Sequence, residues 1–212
     1  METRAQTVEF FFAIGSRYSY LASTQIAALE RDTGARVEWR PITLPDLMTA
    51  RGRTPFAPDP VSGQPVSGQY DMTYRRIDAE RWARLYGVPY RDANPRAIGV
   101  RTHALACLAA KRQGALVLFA HRLFAAIYAD GMAPGPEDCA AIAAAMGLDA
   151  AAFTRAMADP AITAEHDATV TDAFARGVFG VPTFIAGDAM FWGNDRLVLL
   201  RDHLLSAAVG RA

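Results

Sequence analysis

Apolar and polar residues change period twice within the first forty positions. Val8 to Ile14 is rich in Phe and β-branched residues, the composition of a buried strand. After Ser16 the apolar positions Leu21, Ile26 and Leu29 take helical spacing, and Gly34 supplies a stop. Arg36 to Ile42 then alternates, with Val37, Trp39 and Pro41 on one face. Strand, helix and strand in this order predict a βαβ unit with a parallel, right-handed crossover.

From Leu44 to Gly68 the pattern gives way to Pro, Gly, Thr and Ser, which predicts a loop region. Between about Met72 and Gly177 helical spacing returns. Leu116, Phe119, Leu123, Phe124 and Ile127 mark one face of an amphipathic helix, and the whole stretch predicts four or five helices. The alanines of 140–145 suit close helix packing. Thr183 to Ala186 and Ala189 to Trp192, around Gly187-Asp188, predict a hairpin, and Asn194 opens a helix that runs to about Ala208. The fold class is therefore α/β. A βαβ…ββα domain, residues 1–45 and 178–212, is interrupted by a loop and a large all-helical insertion over residues 46–177.

Charge narrows the partners. Lys plus Arg and Asp plus Glu both number 22, so no basic excess exists to neutralise phosphates or to hold an anionic bilayer. Neither nucleic acid nor membrane is expected. The apolar run from Phe10 to Ile14 is too short for a signal peptide or a span, which makes cytoplasmic the expected location. Cys107 and Cys139 lie far apart with no Cys-x-x-Cys, so they read as small buried hydrophobes and not as a redox dithiol. His103 and Cys107 share a helix face, but two ligands do not make a zinc site, and His121, His166 and His203 lack ligand spacing. No metal is expected. Gly-x-Gly-x-x-Gly, a Walker lysine and a Gly-x-Ser-x-Gly elbow are all absent, which argues against nucleotide binding and a hydrolase triad.

Three strings carry candidate chemistry. Val178-Phe179-Gly180-Val181-Pro182-Thr183-Phe184 puts a proline at the mouth of a predicted strand, where it either starts an edge strand or forms a cis bond. Phe191-Trp192-Gly193-Asn194-Asp195-Arg196-Leu197 offers Asn194 as a helix cap and Asp195 as a first-turn acid. Ser16-Arg17-Tyr18-Ser19 places a serine at the start of the first helix, a natural N-cap.

Together these strings resemble the 2-hydroxychromene-2-carboxylate isomerases and the related kappa-class glutathione transferases, thioredoxin-like proteins with a DsbA-type fold. Weaker matches at Arg81-Trp82-Ala83, Tyr86-Gly87-Val88-Pro89 and Phe124-Ala125-Ala126 extend the likeness through the helical region. The resemblance implies glutathione as cofactor and a small aromatic carboxylate as substrate, isomerised by reversible thiolate addition. It implies that Ser16 is the catalytic group, donating to the thiolate. It also implies a cis Val181-Pro182 bond whose Val181 backbone pairs with the cysteinyl backbone, with Asn194 and Asp195 at the γ-glutamyl end. Ser16 stands where thiol oxidoreductases of this superfamily carry cysteine, so the sulfur must come from the ligand. Departures from the family pattern are Ala13 for an aspartate, Arg17 for a proline, and Arg53 and Asp71 for an asparagine and a lysine near glutathione. Arg53 is carried over as a glutathione contact, and Arg17, Arg53 or Arg96 as the receiver of the substrate carboxylate. A glutathione transferase or peroxidase, or a non-catalytic thioredoxin-like binding protein, stays open as an alternative, and a homodimer is compatible with each.

Overall fold

The computed structural model describes residues 6–53, 72–93, 95–98 and 100–209. Asp71 therefore lies outside the described residues. Strand β1 (Thr7–Phe12) leads to helices α1 (Arg17–Ser23) and α2 (Ile26–Thr33), then to strand β2 (Arg36–Pro41) and helix α3 (Leu44–Ala50). Six further helices follow: α4 (Met72–Tyr86), α5 (Arg101–Lys111), α6 (Leu116–Tyr128), α7 (Pro136–Ala145), α8 (Ala150–Met157) and α9 (Pro160–Ala175). Strands β3 (Thr183–Ala186) and β4 (Ala189–Trp192) and helix α10 (Leu197–Val209) complete the order. All four strands fall inside 1–45 and 178–212, and they form one sheet in the order β2-β1-β3-β4.

β1 is central and pairs parallel to β2 from Thr7↔Arg36 to Phe12↔Pro41, the pairing a βαβ unit requires. β3 runs antiparallel to β1, and β4 antiparallel to β3. Both faces of the sheet are covered, which explains why β1 is apolar on both sides at Val8 and from Phe10 to Phe12. Val8, Phe10 and Phe12 point into the larger core, shared with α1, α2, α5, α6 and α10. Phe11 and Ile185 point the other way, onto Ile42, Leu47, Val170 and Ala173 of the α3 and α9 side. At the edge of that second face Glu9 accepts from Arg40 at 2.8 Å and also meets Arg176, while Arg40 reaches Asp172 at 3.1 Å. The Arg40 and Arg176 guanidinium carbons lie 5.5 and 5.7 Å from the Phe11 ring centroid, so their stems and planes roof an aromatic residue. The helical stretch thus shares both cores with the strands on either side of it.

Three expectations change in detail. Leu44–Ala50 is a helix and not loop, because Thr43 caps it and Pro45 sits in the first turn, where its missing N–H costs nothing. The first crossover is broken into α1 and α2 at Thr24-Gln25, before Gly34 ends it in the left-handed region at φ 68°. Between residues 72 and 177 the described residues hold six α-helices and not four or five. Among the described residues, no helix is long and apolar enough to cross a membrane. Cys107 and Cys139 are free and fully buried, and burial pushes the Cys107 thiol well up and the Cys139 thiol to about 12. His103 is buried too, with Nε2 2.9 Å from the Pro134 carbonyl, so this helix face is packed core.

Candidate active site

Ser16 is the residue before α1, in extended backbone, and its N–H donates to the Ala13 carbonyl at 3.0 Å to close the turn out of β1. Its Oγ accepts from the Ser19 N–H at 3.2 Å. That bond uses a lone pair and leaves the hydroxyl proton for a second partner. Capping and catalysis are therefore compatible in one side chain. Ser19 differs: it is fully buried, and its Oγ accepts from the Ala13 N–H at 3.4 Å.

Ser16 opens on a cleft walled by segments from both ends of the chain and from the helical stretch. One wall is the β1–α1 turn from Ala13 to Arg17, and the next is Ile42, Thr43 and Leu44 at the start of α3. Arg75 of α4 enters from above, Ile98, Val100 and Ala104 add an apolar side, and Val181 closes the circuit. Val181-Pro182 is cis. The structure thus brings Ser16, Arg17 and Val181 to one place, from opposite ends of the chain.

The loop carrying Val181 is held at several points. Thr183 Oγ1 donates to the Gly180 carbonyl at 2.8 Å, Gly193 N–H donates to the Pro182 carbonyl at 2.9 Å, and Arg51 donates to the Val178 carbonyl at 3.2 Å. Phe179 and Trp192 pack with ring centroids 4.9 Å apart. A Cβ on Gly180 would fall 2.5 Å from Trp192 Nε1 and 3.1 Å from its Cε2, so a side chain there must displace the indole. Gly180→Ala is expected to cost about 1–3 kcal/mol of stability and to quench the Phe179–Trp192 contact, seen as a changed tryptophan emission. An unchanged melting temperature and emission would contradict it.

Arg17 is buried, and its Nη1 lies 3.0 Å from Asp92 Oδ1. The contact is ionic without hydrogen-bond alignment, which leaves that N–H without an aligned acceptor. Arg75 lies with its guanidinium carbon 5.8 Å from the Tyr18 ring centroid, and the Tyr18 hydroxyl donates to Asp78 Oδ2 at 2.9 Å, tying α1 to α4. Burial lowers the Arg75 pKa from its ordinary value, opposed by Tyr18 and reinforced by the Arg17 charge. Burial, with Asp78 adding, raises that of Tyr18.

Other anticipated residues lie elsewhere. Asn194 and Asp195 line a second depression, with Trp82 and Tyr86 of α4 and Leu197 and Arg201 of α10, and it shares no lining residue with the first. Asn194 is not a helix cap. Gly193 holds that position, with φ 113°, and Asn194 is buried with its amide 3.5 Å from the Tyr86 hydroxyl, which in turn donates to the Asn194 carbonyl at 3.3 Å. Asp195 is exposed beside Arg196 at 3.6 Å. Arg53 is exposed past the far end of α3, and Arg96 is exposed on the single turn Pro95–Ala97; neither lines the cleft. Arg75, which no local motif marks, does. It reaches the cleft through the packing of α4 on α1, which the sequence does not display.

Comparison with known proteins agrees with this geometry. Residues 7–205 match the DSBA-like thioredoxin domain. The chain is 33% identical over 201 residues to a 2-hydroxychromene-2-carboxylate isomerase of Sphingobium xenophagum, covering 94% of this chain and 98% of that one. It is 31% identical over 205 residues to the enzyme of that name from Pseudomonas putida, covering 96% and 94%. A solved 2-hydroxychromene-2-carboxylate isomerase superposes with a TM-score of 0.77 at 29% identity, over 97% of this chain and 95% of that one. With the fold, the cleft and these near full-length matches in agreement, the chain belongs to the 2-hydroxychromene-2-carboxylate isomerase family of DSBA-like thioredoxin domains.

Proposed function

We propose that this protein is a glutathione-dependent isomerase of 2-hydroxychromene-2-carboxylate or a closely similar aromatic carboxylate, giving the trans-o-hydroxybenzylidenepyruvate type of product. The observation that carries the reading is the Ser16 hydroxyl, with one lone pair engaged by Ser19 and its proton without an acceptor among the described residues, in the same cleft as Val181. Glutathione, when bound, supplies a thiolate that adds reversibly to a conjugated carbon and so frees a former double bond to rotate. Ser16 donates its proton as a hydrogen bond to that sulfur, and the N–H it accepts from polarises the O–H and strengthens the donation. Val181, turned at the cis bond, offers backbone N–H and C=O to an extended peptide, the manner of strand addition. Asp195, in the second depression, is the residue proposed for the γ-glutamyl ammonium, and the Gly193–Pro182 hydrogen bond ties its turn to the loop that carries Val181. The apolar side formed by Ile98, Val100 and Ala104 excludes water and accommodates an aromatic body.

The residues present fit such a ligand in kind: a neutral donor for sulfur, an open backbone edge and a carboxylate for an amine. The test is conversion of 2-hydroxychromene-2-carboxylate by the purified protein, followed by product absorbance, with and without glutathione. Conversion that needs glutathione and returns it unconsumed is expected. No conversion in either case would overturn the proposal, and equal conversion without glutathione would remove the thiol from it. A conjugate that accumulates in place of the isomer would mark a transferase.

A further inference from the structure

Two arginines share the cleft with Ser16, and the handling of a thiol uses neither. The Arg17 side chain is only 9% exposed, and its Nη1, 3.0 Å from Asp92 Oδ1, lacks an aligned acceptor. Asp92 balances the Arg17 charge but leaves this N–H unaligned, so it can align with an oxyanion placed before it. Arg75 brings a second guanidinium to the same walls from α4. Its position is fixed by the Tyr18 ring beneath it and by the Tyr18–Asp78 bond that joins the two helices. Asp92 engages Arg17 from one side only, so a carboxylate in the cleft can meet guanidinium groups from both α1 and α4.

What the anion is attached to follows from the remaining walls. Ile42, Leu44, Ile98 and Val100 line the same cleft, so a small inorganic ion would leave these apolar walls without a partner. A planar carboxylate suits the guanidinium fork, and an apolar or aromatic body suits the aliphatic side.

We infer that Arg17 and Arg75 together form the receptor for the carboxylate of the electrophilic substrate and set the enzyme's preference for anionic over neutral substrates. The inference rests on the cleft being the active site proposed above, but it needs no thiol. Asp92 is a positioning residue: it holds Arg17 at the cleft wall from one side and leaves an N–H for the ligand.

The test separates the carboxylate from the thiol. Binding of salicylate and of its neutral analogue salicylamide is measured by calorimetry without glutathione, on the wild-type protein, Arg75→Gln, Arg75→Lys and Arg17→Gln. Wild-type protein should prefer salicylate by about ten- to a hundredfold. Arg75→Gln and Arg17→Gln should each remove most of that preference, and Arg75→Lys should keep part of it, since the charge survives without the fork. With glutathione present, Arg75→Gln should raise KM for the carboxylate substrate by a similar factor and leave the glutathione KM within about twofold. Equal affinity of the wild-type protein for the acid and the amide would overturn the inference even if a variant failed to fold. So would a preference that survives in both Gln variants. If glutathione proves unnecessary but the preference and its loss are seen, the carboxylate receptor stands and the thiol reading falls.

Discussion

Ser16→Ala should slow turnover about ten- to a hundredfold and raise the pKa of bound glutathione, while leaving affinity for the tripeptide nearly unchanged. One charge-assisted hydrogen bond to sulfur is lost, worth about 1.5–3 kcal/mol. Anchoring through the Val181 backbone is untouched. The same substitution removes the cap of α1, about 1 kcal/mol of stability, because the Ser19 N–H loses the Oγ it donates to at 3.2 Å. Ser16→Asp tells the two roles apart. Aspartate keeps a cap acceptor but has no proton to give at neutral pH, and its charge repels a thiolate. It should fold like the parent and turn over no faster than Ser16→Ala. Ser19→Ala gives the opposite result: its buried Oγ accepts from Ala13, so stability should fall while the thiol pKa stays. The readout is thiolate absorbance of the complex titrated against pH, alongside isomer formation. If neither the pKa nor turnover moves in Ser16→Ala, the serine is a cap alone.

Much of this site was legible from residue order because its parts lie at strand ends. The apolar stretch of β1, the alternation of β2 and the hairpin signal of β3 and β4 locate the strand ends, and Ser16 stands just after β1 and Val181 just before β3. Strand periodicity is a local property, so local reading finds it. Helix α3 was hidden by the same kind of reading. Pro45 and the nearby Thr and Gly look like breakers, yet proline in a first turn is a helix starter when Thr43 precedes it. Helix number was undercounted for a related reason: Pro136 and Pro160 each begin a new helix close after another ends, leaving α8 only 8 residues long. Asn194 shows another limit. As an isolated dipeptide Asn-Asp is a good cap, but Gly193 at φ 113° turns the chain so that Asn194 is buried against Tyr86. Arg75 could not be found at all, because its relation to Ser16 exists only through the packing of α4 on α1. Arg17, a departure from the family's proline, is in the structure a cation built into the cleft wall.

The largest loss of stability is expected at the centre of the sheet that holds these exits in place. Phe10 is fully buried on β1, and its ring centroid lies 4.8 Å from Phe184 on β3, 5.0 Å from Trp39 on β2 and 5.1 Å from Phe12. Three strands therefore meet at one ring. Phe10→Ala should destabilise the protein by about 3–5 kcal/mol, the sum of lost transfer free energy and the cavity that rigid aromatic neighbours cannot close. The denaturation midpoint should fall with the slope unchanged, since the surface exposed on unfolding is nearly the same. Val198→Ala, at a residue 68% exposed, should stay within about 0.5 kcal/mol and serves as the control for truncating an apolar side chain as such. Phe10 does not line the cleft, so the molecules that remain folded at low temperature should bind salicylate and glutathione as the parent does. A loss under about 1 kcal/mol would mean that the three rings repack around the gap, and that the sheet is held mainly by the helices on its faces.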